Sequence, residues 1–186
     1  MTHRTRFGLI AVTVVGWWMG LSGQAWAVPD DPQVVSQPYL GDLTQTFEAN
    51  AYSTGTDSVT GESMVIAIIG DGVDLTHPDL DGKGVGQPWD FIEGHANPTV
   101  SGPLATEMAG IAAAKTNNSI GIDGVCPDCV IHNIRADTEN VAQLRQAIDY
   151  AVQQIQNHRS NKQGVILIAS RNDDNGDNEL AFDQSL

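Results

Sequence analysis

Six consecutive apolar residues at positions 64–69 place the strongest constraint on the fold of this chain. The run is Met-Val-Ile-Ala-Ile-Ile, and it ends at Gly70-Asp71-Gly72. A strand with one face in water alternates apolar and polar residues, whereas a continuous apolar run is typical of a strand buried on both faces. Such strands belong to parallel sheets that are covered by helices on both sides. The run therefore predicts an α/β domain.

Two further apolar runs, at residues 130–134 and 165–169, alternate with two helical segments. Residues 104–115 are rich in Ala and Met, and residues 140–154 carry apolar side chains at spacings of three and four. The order strand, helix, strand, helix, strand predicts right-handed crossovers and a partial doubly wound parallel sheet. The polar, turn-rich segment before residue 62 is expected to form an extended arm with loops.

The first 27 residues have the pattern of a secretory signal peptide. Arg4 and Arg6 precede a mostly apolar run at 7–21, and the triplet Ala-Trp-Ala at 25–27 fits the cleavage rule. The alternative is a membrane anchor, but a spanning helix needs about 20 apolar residues and this run is shorter. We therefore expect a signal peptide at 1–27 and one domain at 28–186, in a secreted or periplasmic protein.

The charge of the chain restricts its partners. Its formal net charge is −14, which repels phosphate backbones and anionic lipid, so we expect no nucleic acid partner and no membrane contact after signal cleavage. The same charge suits a cation ligand. The alternative is that it serves solubility alone.

The two cysteines, Cys126 and Cys129, form a Cys-Pro-Asp-Cys motif. In a cytosolic chain this spacing indicates thioredoxin-like chemistry or half of a zinc site. Zinc needs about four ligands, and the sequence has no second cysteine pair. In an exported chain the motif predicts a short structural disulfide.

Three short motifs together resemble one family. HPDL at 77–80, AGI at 109–111 and NNSIGI at 117–122 occur in the order and at the spacing found in the subtilases, the subtilisin-like serine endopeptidases. Residues 165–169 are similar to the strand that lines the substrate groove of that family. The resemblance covers nearly all of 28–186, but only about the first half of the family's catalytic domain. It implies a subtilisin-like fold and descent from peptidases.

The positions that carry catalysis in the family differ here. A serine triad needs an acid, an imidazole and a hydroxyl, and the resemblance places Gly70 at the acid and Glu107 at the base. Asp71 is one residue late, so strand alternation turns it to the other face unless the turn brings it inward. Glu is a weak base unless burial raises its pKa. In the family the serine lies in a Gly-Thr-Ser segment much later than the base position, and this chain is expected to lack that segment.

The resemblance therefore implies a family member that is inactive as this chain. Two alternatives remain open. The first is a pseudoprotease that binds a peptide or protein in the former substrate groove. The second is a truncated gene product that does not fold stably, because half of a parallel sheet leaves an open strand edge.

The resemblance also implies a calcium site, since Ca²⁺ takes six to eight oxygen ligands from turns of this kind. The implied ligands are side-chain oxygens of Asp79 and Asn118 and main-chain oxygens of Thr116, Ile120 and Ile122. The alternative is an ordinary turn that Asp79 caps.

Overall fold

The computed structural model describes residues 29–50, 52–58, 60–158 and 163–170, so the expected signal peptide at 1–27 lies outside the described residues. The strands in the described part are β1 (Val65–Gly70), β2 (Trp89–Asp90), β3 (Val130–Arg135) and β4 (Gly164–Ile168). The α-helices there are α1 (Thr46–Asn50), α2 (Leu104–Ala113) and α3 (Val141–His158). The arm that precedes them contains a 3-10 turn at Val34–Ser36 and a π turn at Tyr39–Leu43.

The four strands form one sheet in the order β2-β3-β1-β4, and every pair is parallel. Strand β1 is central, with Val65 opposite Val130 on one side and Gly164 on the other. This arrangement confirms the predicted α/β class. Strand β1 runs one residue further than predicted, because the ladder continues as the Ala136 N–H donates to the Gly70 carbonyl at 3.0 Å.

The helix bounds differ from the sequence-based ones at their ends. Helix α2 stops at Ala113, since Ala114 turns to an extended backbone with φ −54° and ψ 149°. Helix α3 continues to His158, past the predicted end, because Ile155 is buried and extends its apolar stripe. No helix in the described part of the chain is long and apolar enough to cross a membrane.

Alternate residues of β1 divide between two cores, which is why the whole strand is apolar. On one face, Ile66 and Ile68 pack with the small residues of α2, namely Ala105, Ala109 and Ala113. On the other face, β1 packs with α3 through Val65, Ala67, Ile69, Ala147, Ala151 and Ile155. One helix on each face makes the sheet doubly wound, as predicted.

Candidate functional site

An open cleft lies at the carboxyl ends of β1, β3 and β4. Its volume is about 420 Å³, and the residues that line it include Gly70, Asp71, Leu104, Ala136, Asp137 and Ala169. Ligands of open α/β sheets bind at the carboxyl ends of the strands. This cleft is therefore where the fold places a candidate active site.

Gly70, the expected acid position, lies at this cleft, but the neighbouring atoms leave no space there for a side chain. A Cβ added to Gly70 would lie 2.7 Å from Cβ of Ala169, 3.1 Å from its carbonyl oxygen and 3.5 Å from Cβ of Ala105. Separations under 3.0 Å are essentially never seen for Cβ atoms. A carboxylate at this position would require the backbone of β1 or of the β4 end to move.

Asp71 lies in the cleft wall, and its carboxylate caps helix α2. Its Oδ1 accepts the Ala105 N–H at 2.8 Å, and its Oδ2 accepts the Leu104 N–H at 3.1 Å. A negative charge at a helix N-terminus is stabilised by the free N–H groups and the helix dipole. Both oxygens of Asp71 accept a helix N–H, so this side chain holds the start of α2.

Glu107 does not lie at the cleft. Its side chain is exposed and lines a different cavity of about 630 Å³, together with Asp74, His77 and Leu80. Leu104, one turn earlier in α2, is the helix residue that faces the cleft. Glu107 and Gly70 thus line different cavities, and the α2 side chain that lines the cleft with Gly70 is an isobutyl group that cannot accept a proton.

No histidine or cysteine lines the cleft among the described residues. Ser101 and Thr138 carry the hydroxyls there. The Ser101 Oγ donates to the Asp71 carbonyl at 3.1 Å and accepts from Arg135 Nε at 3.3 Å. A hydroxyl between a carbonyl and a guanidinium has no base to remove its proton, so this arrangement does not activate a nucleophile.

A second candidate site is the loop at residues 116–123, hereafter the cation loop. The structure brings Asp79 to it: Asp79 Oδ1 accepts from Asn118 Nδ2 at 2.9 Å, and Oδ2 accepts the Ile122 N–H at 3.0 Å. The loop curls through left-handed backbone at Asn117, Ser119 and Gly121, with φ of 54°, 60° and 54°. These contacts suit both a capped turn and a cation site.

The sequence analysis missed two acidic residues at this site. Asp123 is in the cation loop, and Asp31 contacts the loop from outside it. Asp31 belongs to the N-terminal arm, and its oxygens accept the N–H groups of Asn117 at 2.8 Å and Asn118 at 3.1 Å. With Asp79, these residues make three carboxyls that are each at most 2% exposed. Burial raises the pKa of the Asp123 carboxyl, and the charges of Asp31 and Asp79 raise it further.

These three carboxyls lack a basic partner, but they do not form a three-carboxylate site, because only Asp90, Glu93 and His95 among the described residues form a group of three acidic or histidine ligands within 4.8 Å of one another. None of them takes part in an ion pair within the described ranges, and Asp123 Oδ1 is buried without a hydrogen-bond partner. Buried carboxylates are normally paired with a basic group or coordinated to a metal. Carboxylate, amide and main-chain oxygens are the ligands that Ca²⁺ prefers, so the residues present fit the calcium expected from the resemblance.

Asp90, Glu93 and His95 form another acidic cluster, with ligand atoms within 4.8 Å of one another. In this cluster Arg135 supplies the positive charge. Its Nη1 donates to Asp90 Oδ2 at 2.9 Å and to Glu93 Oε1 at 2.8 Å. Burial opposes ionisation of Asp90, but N–H donors and Arg135 hold its pKa below the usual value. This cluster is therefore neutralised by Arg135 and leaves little charge for a metal.

Cys126 and Cys129 are joined by a disulfide, as predicted for an exported chain. Cys129 is buried at the start of β3, and the buried Lys83 Nζ donates to its carbonyl at 3.3 Å and to that of Pro127. The bond engages both sulfurs, which leaves no thiolate for zinc. The motif has a structural role here.

A profile of the subtilase family, Peptidase_S8, matches residues 61–168. Thermitase of Thermoactinomyces vulgaris is 40% identical over 107 residues, which are 58% of this chain and 36% of that protein. The thermophilic serine proteinase of Bacillus sp. (strain AK1) is 43% identical over 135 residues, 70% of this chain and 32% of that protein. The chain spans about a third of the length of these relatives.

The solved structures add a likeness in fold. The crystal structure of MycP1 with its N-terminal propeptide removed superposes with a TM-score of 0.51 at 17% identity. The superposition covers 70% of this chain and 47% of that one.

Proposed function

This chain belongs to the subtilase family, and from that premise we propose that it is a secreted member that does not cleave peptides as this chain. The observation that carries the proposal is the lack of space for a side chain at Gly70. Its missing side chain cannot be restored without a collision with Ala169, so the cleft has no place for the acid that orients a catalytic imidazole.

The base is missing from the same cleft. Leu104 is the α2 residue that lines the cleft, Ala105 lies beside Gly70, and no imidazole lines the cleft in the described residues. Glu107, which the resemblance places at the base position, lines a different cavity. Without a base to take the hydroxyl proton, a serine supplied from elsewhere would remain a poor nucleophile.

Calcium has a structural role in this proposal. Asp31, Asp79 and the Asn118 side chain would hold it, with main-chain oxygens of Thr116, Ile120 and Ile122. When bound, the ion supplies positive charge to buried carboxylates. Asp31 connects the N-terminal arm to the cation loop through two hydrogen bonds, so the ion would also secure the arm to the domain.

The proposal is tested by expressing the full chain in a secreting host. A mature chain that begins at Val28 in the medium supports secretion, and the same material is then assayed for hydrolysis of denatured casein. We expect none above buffer. Hydrolysis that disappears in Glu107→Ala, but not in the exposed control Asp149→Asn, would refute the absence of catalysis.

Peptide binding without cleavage is the second candidate function, and the edge of β4 favours it. Within the described ranges β4 pairs with β1 alone, and Val165 and Ile168 are 44% and 39% exposed. An extended peptide can add to such an edge through main-chain hydrogen bonds. Saturable binding that Ile168→Lys weakens, and that Val35→Lys on the exposed arm does not, would support it. A flat calorimetric titration against extended peptides would count against it.

The alternative of an unstable gene remnant makes a different prediction, which is unfolding without a cooperative transition. The two buried cores on either side of β1 support a chain that folds. A single sigmoidal urea transition would dismiss the remnant hypothesis.

A further inference from the structure

The disulfide between Cys126 and Cys129 lies against the main chain of Gly55, in the segment that leads into β1. A Cβ added to Gly55 would collide with Sγ of Cys126 and would lie 2.9 Å from Sγ of Cys129. Gly55 has a φ of 107°, in the left-handed region that favours glycine. The absence of a side chain therefore lets the main chain of Gly55 pack on both sulfurs.

Hydrogen bonds from the disulfide loop hold the same segment. The Asp128 N–H donates to the Thr54 carbonyl at 2.8 Å, and the Thr54 hydroxyl donates to the Asp128 carboxylate. The Met64 N–H donates to the Gly55 carbonyl at 2.7 Å, which links the segment to the start of β1. Because Asp128 lies between the two cysteines, the position of its donor and acceptor groups depends on the conformation of the cross-linked loop.

The cross-link itself restricts the unfolded chain very little. It joins residues that are three apart in the sequence, and the entropic stabilisation by a disulfide decreases as the loop that it closes becomes shorter. Its main effect is therefore local, since it keeps the two sulfurs close enough for Gly55 to pack over them. The two cysteines also differ in access, because Cys126 is partly exposed whereas Cys129 is 1% exposed.

We propose that the Cys126–Cys129 disulfide is a redox site that a dithiol reductant reduces, and that its reduction releases residues 54–56 from the domain. This role is additional to the structural one. A thiolate of the reductant attacks Sγ of Cys126, the accessible sulfur, and Cys129 leaves as a thiolate that takes up a proton. The second thiol of the reductant then displaces Cys126 from the mixed disulfide. Two electrons pass to the protein, which then holds two thiols, and the reductant becomes a disulfide.

Reduction displaces Gly55 because two thiols need more space than a disulfide. Bonded sulfurs are about 2 Å apart, whereas non-bonded heavy atoms are best separated by about 3.5–4 Å. Cys129 is buried next to β3, so the separation moves Cys126 and the loop between the two cysteines. Gly55 then loses its packing on the sulfurs, and the hydrogen bonds between this loop and Thr54 are lost with it.

The experiment follows the full mature chain before and after treatment with millimolar dithiothreitol under native conditions. Alkylation and intact mass count the thiols, and the count is unambiguous because the chain has two cysteines. Hydrogen exchange then measures the amides of Asp128 and Met64, whose acceptors are the carbonyls of Thr54 and Gly55. We expect two alkylated cysteines and exchange at both amides that is faster on the order of tenfold, while the amides of α3 stay protected.

Three variants supply the controls. The double variant Cys126→Ala/Cys129→Ala should respond to dithiothreitol at neither amide. Gly55→Ala places a methyl group against the sulfurs and should speed exchange at both amides while the disulfide is intact. Gly61→Ala is its matched control, because Gly61 also has a positive φ, of 72°, but an added Cβ there meets no atom of the described residues within 4 Å apart from its chain neighbours.

Four outcomes would overturn the inference. A disulfide that stays unalkylated under these conditions is not a redox site of the folded chain. Reduction without faster exchange, or a Gly55→Ala variant that exchanges no faster than Gly61→Ala, would show that the sulfurs do not hold residues 54–56. Faster exchange throughout α3 as well would show that the disulfide supports the whole domain. The casein assay is independent of all four results, so the absence of proteolysis is tested separately.

Discussion

The methyl group of Ala169 lies in the space that a side chain on Gly70 would need, with 2.7 Å between it and an added Cβ. Ala169 follows β4 and Gly70 ends β1, so two neighbouring strands close on each other where the cleft begins. This contact accounts for the empty acid position. A larger residue at either place would push the strands apart.

Restoring an acid at Gly70 should therefore not restore function. We expect Gly70→Asp to lower the free energy of unfolding by about 1–3 kcal/mol from overpacking, with a further cost for a buried carboxylate. Urea denaturation measures the change. Gly70→Ala should be tolerated better when it is combined with Ala169→Gly, and a double variant no more stable than Gly70→Ala alone would contradict this explanation.

The cap on α2 gives a second prediction. Asp71 accepts the N–H groups of both Leu104 and Ala105, so Asp71→Ala should lower the free energy of unfolding by about 1–2 kcal/mol. Glu107→Ala, an exposed change in the same helix, should stay within about 0.5 kcal/mol. Equal effects of the two substitutions in urea unfolding would show that Asp71 does not hold the helix start.

Arg135 gives a third prediction, because its removal leaves Asp90 buried and unpaired. The Asp90 side chain has no exposed surface, and Arg135 contacts it at 2.9 Å. Arg135→Ala should lower the free energy of unfolding by about 3–5 kcal/mol, since removal of one partner of a buried ion pair leaves the other charge buried without a counter-charge. Lys115→Ala, which removes the partner of the exposed Asp81, should cost about 0–1 kcal/mol. Similar costs for the two variants in urea denaturation would contradict the assigned role of Arg135.

His132 predicts how stability depends on pH. Burial lowers the pKa of His132 below its usual value of 6.5, against the hydrogen bond to the Val85 carbonyl, and His158 lowers it further. As the pH falls, His132 is therefore protonated at a higher pH in the unfolded chain than in the folded chain. The contribution of His132 is therefore constant above about pH 6.5, and stability falls as the pH drops below that value.

The measurement is urea unfolding at several pH values between 8 and 5. His132→Gln should reduce the loss of stability below pH 6.5. An identical pH profile for His132→Gln and the wild type would contradict the assignment.

The sequence was sufficient for the elements and their order because each is encoded locally. The apolar run of β1 and the spacing of Ile148, Ala151 and Ile155 in α3 follow from burial alone. The disulfide was predicted from the expected export and from the spacing of three residues between the cysteines. Each of these features requires knowledge of only one short segment.

The candidate sites were only partly predictable because they join distant segments. Asp31 reaches the cation loop from the N-terminal arm, and nothing in the local sequence around Asp31 indicates that contact. The closure of Gly70 depends on Ala169, in a different strand. The assignment of Glu107 came from the resemblance, while the position of Leu104 at the cleft became visible only when α2 was placed against β1.

Reaction with a fluorophosphonate, read by intact mass, tests the central claim most directly, since the reagent phosphonylates only an activated serine. The account predicts that the mature chain keeps its unmodified mass under conditions that label an active subtilase to completion. One stoichiometric adduct on a serine, absent from the denatured chain, would contradict it.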